Sequence, residues 1–260
     1  MSLKIGTLNL LIDLDQWEFR GPLIVKEISE LSPDLILFQE VSTCPNNVEW
    51  IASQLQGYQV YLAPDAGMKI GCEGLAIMTR LPVDEHIILD LGPQNRKAQV
   101  LLLTHKGQPY AITNTHLFWR DGFAPERLEQ AKQIINYLNS LPEDTQLILA
   151  GDFNAEPNSP TIKFIKQSLN STYEVCHGNE PTSTFPTPLQ RSNNLEVIKE
   201  NDQWKLKKQV NLKIPKNSTI DYIFSGFSLR PSECHVVFNN PDPNNDLIYP
   251  SDHYGLLAIF

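Results

Sequence analysis

The chain has 260 residues, 41% apolar and 20% charged, enough for one large α/β domain or two small ones. Its net charge of −9 argues against a protein that coats nucleic acid by counterion release, though not against an enzyme with cationic groups at one mouth. No apolar run is long enough to cross a membrane, the start MSLKIGTLNLLI is too strand-like for a signal peptide, and Cys44, Cys72, Cys176 and Cys234 show no Cys-x-x-Cys spacing, so an unanchored cytoplasmic protein with reduced thiols is expected.

In chain order, Lys4–Ile12 alternates and then runs apolar, which predicts a core strand carrying Asn9. Leu23, Ile24, Glu27, Ile28 and Leu31 have helical spacing within Arg20–Leu31, and Ser32-Pro33 stops that helix. Leu35–Val41 reads as a buried strand ending near Glu40, and Asn47–Leu55 as a helix with one apolar stripe. Tyr58–Leu62, Glu73–Thr79, Glu85–Leu91, Gln99–Thr104 and Tyr110–Leu117 are successive strands punctuated by Gly and Pro. Pro125–Leu141 is the clearest helix, followed by strand Gln146–Ala150 and a helix near Thr161–Leu169. Two short strands, Thr219–Phe224 and Tyr254–Phe260, close the chain. Within the less regular Pro181–Ser218 stretch, Leu206, Val210, Leu212 and Ile214 alternate with lysines. That segment is either an edge hairpin with solvated lysines or a basic flap toward an anionic substrate. Strands mixed with helices imply an α/β or α+β layered protein, one domain over residues 1–260.

The organising stretch is LILAGDFNAEP, Leu147–Pro157. Its buried strand stops at Gly151, and Asp152 and Asn154 follow two residues apart, able to face a common point. A carboxylate and an amide there suit a hard cation or phosphate oxygens; an Asx turn accounts for the same residues locally. Asn9, Glu40, Glu73, His116, Asp221, Asp252 and His253 likewise sit at the ends of apolar strands, where unpaired charge is costly.

TLN (Thr7–Asn9), FQEV (Phe38–Val41), NTHL (Asn114–Leu117), GDFNAEP, IDYIF (Ile220–Phe224) and PSDHYGL (Pro250–Leu256) together resemble the endonuclease/exonuclease/phosphatase superfamily, the DNase I-like phosphoesterases. The resemblance implies a four-layer α/β (α+β) sandwich, two mixed β-sheets packed face to face with helices outside. It implies Mg2+, with Mn2+ as the alternative ion, held by Glu40, Asn9 and Asp252. Asp152 and Asn154 would place the attacking water and a phosphate oxygen. His253, oriented by Asp221, would serve acid–base chemistry or bind the phosphate. Glu73 would pair with His116 in a second dyad, and Arg80 would be the family's arginine after that strand, with an ordinary salt bridge as its other reading. Branches specialised for abasic sites carry tyrosine in place of His116, which sets them aside.

PSDHYGLLA and THLFWRDGFAPERLEQ are most similar to the tyrosyl-DNA phosphodiesterase, deadenylase and sphingomyelinase branches, although the first has threonine in place of Phe153. The implied function is hydrolysis of a phosphodiester by in-line water attack, on nucleic acid or a nucleotide-containing substrate. Arg80, Asn114, Trp119, Arg120 and Phe185 are the candidate substrate contacts, with rim packing as the alternative for Trp119 and Phe185. The other expectations open at this point are a phosphatase or phospholipase C-type hydrolase, and an inactive relative acting as a binding module. A monomer acting on single-stranded nucleic acid is the expected assembly.

Overall fold

The computed structural model describes residues 2–67, 71–120, 122, 124–189, 195–200, 203–208 and 216–260. In chain order the elements are β1 (Lys4–Asn9), α1 (Trp17–Leu31), β2 (Leu35–Ser42), α2 (Asn47–Ser53), β3 (Gln59–Pro64), β4 (Glu73–Thr79), β5 (Glu85–Asp90), β6 (Lys97–His105), β7 (Gln108–His116) and α3 (Ala124–Leu138). They continue as β8 (Gln146–Asp152), α4 (Pro160–Ile165), β9 (Leu169–Ser171), α5 (Thr172–His177), β10 (Leu195–Glu200), β11 (Gln203–Lys208), β12 (Asp221–Gly226), β13 (Glu233–Val237) and β14 (Gly255–Ile259).

Two six-stranded sheets form, in the orders β13-β14-β1-β2-β4-β3 and β5-β6-β7-β8-β12-β9. Each is mixed: β1 with β2 and β7 with β8 are parallel, and the other pairs are antiparallel. Strand alternation sorts the apolar residues into three packed layers. Ile5, Leu35, Leu37 and Ile77 of one sheet meet Leu101, Ile112, Ile148 and Ile223 of the other. Leu8, Ile36, Phe38 and Met78 face Ile24 and Ile28 of α1 and Val48 and Ile51 of α2. Val100, Ala111, Leu149 and Phe224 face Ala131, Ile134 and Ile135 of α3 and Ile162 and Ile165 of α4. The architecture is therefore the expected sandwich of two mixed sheets with helices outside.

Beneath the open end of the inter-sheet layer lies a buried amide network. Gln39 Nε2 donates to Asn114 Oδ1 at 2.8 Å, and Asn114 Nδ2 donates to the carbonyls of Phe38 (2.9 Å) and Ala76 (3.1 Å). These bonds satisfy polar groups that would be costly to bury unpaired, and they cross from one sheet to the other.

Element types follow the sequence reading, and their ends shift for local reasons. Apolar stripes outlast α2, α3 and α4 because the final turns tighten into i→i−3 bonds, such as Leu55 N to Ala52 O and Leu141 N to Leu138 O. α1 begins at Trp17, not Arg20, which places Pro22 inside it; Trp17 packs edge-on against Trp50 at 5.7 Å between ring centroids. β9, α5 and β13 were not legible as separate elements. They are short, and β9 and β13 are edge strands beside β12 and β14. The lysine-containing segment pairs as β10 with β11 in a two-stranded sheet of its own, and Val210, Leu212 and Ile214 lie outside the described residues.

Candidate active site

The inward faces of both sheets carry polar residues at one end of the sandwich. β1, β2, β7 and β8 deliver Asn9, Glu40, His116 and Asp152 at their carboxyl ends. Antiparallel β4 and β12 begin there with Glu73 and Asp221, and the loop entering β14 brings Asp252 and His253.

Two backbone features make this convergence possible. In β2 the register against β4 slips by one between Phe38 and Val41, and Glu40 has φ +50°. Strict alternation would put Glu40 with Phe38 on the helix-facing side. The bulge turns it toward Asn9 and Asp152 instead. At the end of β8, Gly151 has φ +138°, and a Cβ there would stand 2.0 Å from the Thr115 carbonyl oxygen. Only glycine lets β7 and β8 approach so closely beside Asp152.

Asp152 is the hub. Its Oδ1 accepts from Asn154 N at 2.9 Å, and its Oδ2 accepts from Asn9 Nδ2 at 3.0 Å. The Nε2 atoms of His116 and His253 face the same Oδ2 at 3.5 and 4.0 Å. Burial, then the nearby Asp221 charge, pushes the Asp152 pKa up to about 7. Asn154, at φ +48°, donates its Nδ2 to the Leu117 carbonyl at 3.1 Å, which assigns its Oδ1 the acceptor role.

The two imidazoles have opposite environments. Burial would lower His253, but Asp221, Asp252 and Asp152 outweigh it and hold its pKa at about 10. His253 Nδ1 donates to Asp221 Oδ2 at 3.0 Å, and the Phe185 ring packs on the imidazole with centroids 4.6 Å apart. Thr184 Oγ1 accepts from the backbone N–H groups of Ile220 and Asp221, which pins the strand that bears the carboxylate. His116, by contrast, is held well below the usual histidine value, first by burial and then by the charges of Arg96 and His253.

Arg96 changes the expected Glu73–His116 pairing. Its buried guanidinium lies between them, Nη1 2.9 Å from His116 Nδ1 and 3.4 Å from Glu73 Oε1. Sequence reading missed this arginine; the available signal was the Arg96-Lys97 pair at the start of an apolar strand, at the same end as the other site residues. It also missed Arg20, fully buried, whose guanidinium donates to the carbonyls of Leu10 and Pro250 and ties β1 to the loop carrying Asp252.

Asn9 Oδ1 accepts from Leu11 N at 2.9 Å while Nδ2 donates to Glu40 (3.3 Å) and Asp152. It orients the two carboxylates. Asn114 is completely buried under the site in the amide network and cannot reach a substrate. Arg80 lies beyond the far end of β4 from Glu73, donates to Pro33 O at 2.7 Å, and covers the Tyr58 ring at 4.8 Å. It stands away from the site, and among the described residues it forms no ion pair. Trp119, 49% exposed, and Arg120, 5.8 Å over its ring, stand three and four residues beyond His116 at the rim.

Glu40, Glu73, Asp152, Asp221 and Asp252 set five carboxyl groups against the Arg96 guanidinium and the His253 imidazolium. Enclosure, then Asp252, raises the pKa of Glu40. This excess of acidic oxygen fits a hard divalent cation, which would relieve the repulsion. Asp152, Asp221 and His253 place ligand atoms within 4.8 Å of one another. Their existing Asp221–His253 bond and the raised His253 pKa make them a proton-holding group; Glu40 and Asp252 are the better fit for an ion. Among the described residues, no helix is long and apolar enough to cross a membrane.

Known proteins share this fold. Nocturnin of Drosophila melanogaster is 27% identical over 279 residues, covering 94% of this chain, which spans 42% of that protein. The crystal structure of D. rerio TDP2 complexed with single strand DNA product superposes with a TM-score of 0.76 at 18% identity, over 99% of this chain and 98% of that one. A Bacteroides thetaiotaomicron mannosyl-6-phosphatase superposes with a TM-score of 0.77 at 19% identity over all of both chains. These two structures share the fold. The profile of the Endonuclease/Exonuclease/phosphatase family matches residues 7–253, from the strand bearing Asn9 through His253, and the chain belongs to that family.

Proposed function

We propose that this protein is a divalent-metal-dependent phosphodiesterase that acts by in-line attack of water, with nucleic acid or a nucleotide-containing molecule as substrate. The observation that carries the reading is the convergence of two imidazole Nε2 atoms on Asp152 Oδ2 within a cluster rich in carboxylates. A Mg2+ or Mn2+ ion held by Glu40 and Asp252 would supply charge neutralisation at the phosphate and the leaving oxygen. The remaining functions fall to the protein. Asp152, raised to about 7, can take a proton from the attacking water, and Asn154 Oδ1 can accept the second O–H and aim it. His253 and His116 both approach the place where a phosphate oxygen would gain charge. Asp221 keeps His253 protonated and oriented.

The substrate class rests on the rim. An exposed tryptophan with an arginine beside it offers a stacking face for a base and a cation for the adjoining phosphate. The fold shared with D. rerio TDP2, solved complexed with single strand DNA product, supports the same direction. A phosphomonoesterase is the second reading, favoured by the fold shared with a mannosyl-6-phosphatase. The experiment that decides is hydrolysis of 5′-tyrosyl DNA, single-stranded DNA, poly(A), an inositol polyphosphate and sphingomyelin, each with Mg2+, with EDTA, and with the His253→Ala variant. Cleavage of a nucleic-acid substrate that disappears in both controls is expected. Cleavage of the inositol polyphosphate alone would move the protein to the second reading.

A further inference from the structure

We propose that Arg96 locks His116 in its Nε2–H tautomer, so that His116 serves the phosphate as a fixed hydrogen-bond donor and takes no part in proton transfer. The inference deepens the phosphodiesterase reading and rests on it for its consequence, but the tautomer is a property of the protein alone.

The geometry is restrictive. A guanidinium has five N–H donors and no acceptor. With Arg96 Nη1 2.9 Å from His116 Nδ1, that ring nitrogen must present its lone pair. A neutral imidazole carries one proton, which then resides on Nε2, the atom facing Asp152 Oδ2 at 3.5 Å. A direct Glu73–His116 pair would do the reverse, since a carboxylate accepts from Nδ1–H and leaves Nε2 bare as a proton acceptor. The arginine standing between them inverts the polarity of the ring. Glu73 acts one step further back, 3.4 Å from the same Nη1.

Arg96 is held in place independently of His116. Its carbonyl accepts from Leu91 N at 2.8 Å, and the turn Pro93–Asn95 before it is fixed by Gln130 Nε2 donating to Pro93 O and by Trp119 N donating to Gln94 Oε1. Its side chain is 2% exposed, so water cannot substitute freely for it. His253 differs, because Asp221 accepts its Nδ1–H. Only His253 can lose and regain a proton at Nε2 while its other nitrogen stays bonded. Arg96 is thus a positioning residue, and the two histidines divide the work: His116 donates, His253 exchanges protons.

The test reads the tautomer directly. Imidazole 15N–1H correlation spectra of labelled wild-type protein at neutral pH, with and without Mg2+, report which nitrogen carries the proton; the His116 signals are those lost in His116→Gln. Expected is a protonated Nε2 and an unprotonated, hydrogen-bonded Nδ1. A proton on Nδ1, or on both nitrogens, overturns the proposal whatever the enzyme hydrolyses. Turnover gives a second readout, because a glutamine amide can donate where Nε2–H does but cannot act as a base. His116→Gln should retain about 10-fold more kcat than His116→Ala, and Arg96→Met should lower kcat by about 100-fold with KM changed less than about 3-fold. Equal kcat for the Gln and Ala variants would count against the donor role. Loss of the predicted hydrolysis together with the expected tautomer would reject the phosphodiesterase reading and leave the Arg96–His116 relation standing.

Discussion

Asp221 accepts the Nδ1 proton of His253 at 3.0 Å, which turns the opposite nitrogen toward Asp152 Oδ2. Asp221→Asn should therefore lower kcat by at least about 100-fold with little change in KM, because the amide neither holds the charge nor selects the orientation. A pH profile separates this from a folding defect. Activity that needs protonated His253 persists up to a pH near its value of about 10 and falls above it. In Asp221→Asn that alkaline limb should move to lower pH. An unmoved limb would show that His253 is not the group being titrated.

The same pair predicts how stability responds to pH. His253 has a folded-state pKa of about 10 against an ordinary 6.5, so its contribution is fully present below about 6.5 and is lost as pH rises through about 10. The metal-free protein should lose Tm across that window. Mg2+ should reduce the loss, since a cation binding only the folded state adds stability by mass action. A flat Tm from pH 6.5 to 10 in EDTA would contradict the assigned charge state.

Glu40 is the least enclosed of the five carboxyl groups and the best placed to meet a cation. Glu40→Gln should remove most divalent-metal-dependent turnover, a fall of about 100-fold or more, while circular dichroism stays native. Calorimetric titration should show weaker Mg2+ binding. Near-full turnover in a folded Glu40→Gln protein would falsify the metal assignment.

Asn114 tests structure against recognition. Asn114→Leu removes a hydrogen-bond partner from the carbonyls of Phe38 and Ala76 and one acceptor from the Gln39 amide, and should cost about 2–4 kcal/mol in urea unfolding. The KM of the folded fraction should stay within about 3-fold of wild type. Arg80→Met, remote from the cluster, should leave kcat/KM unchanged.

Trp119 offers its face at the rim, so Trp119→Ala should raise KM for single-stranded nucleic acid by about 5–20-fold, on the basis of about 1–2 kcal/mol of lost stacking, with kcat preserved. A small phosphomonoester should show no such dependence. Equal effects on both substrates would remove the tryptophan from base recognition.

Local pattern determined a good part of this protein. An apolar run set off by Gly and Pro marked Glu73–Thr79 with the bounds the strand has, and LILAGD placed Asp152 at a strand end. The carboxylates and histidines were visible because charge beside an apolar strand demands a partner. What pattern could not supply was the identity of that partner. Glu73 reaches His116 only through Arg96, the asparagine of NTHL braces two sheets, and the asparagine of TLN turns its nitrogen, not its oxygen, to the carboxylates. Strict alternation would even have aimed Glu40 at the helices; a one-residue bulge brings it back. Periodicity states which face a residue occupies, whereas the donor opposite it is set by the register and crossing of strands far apart in sequence. Only the tertiary structure decided which proton each histidine holds.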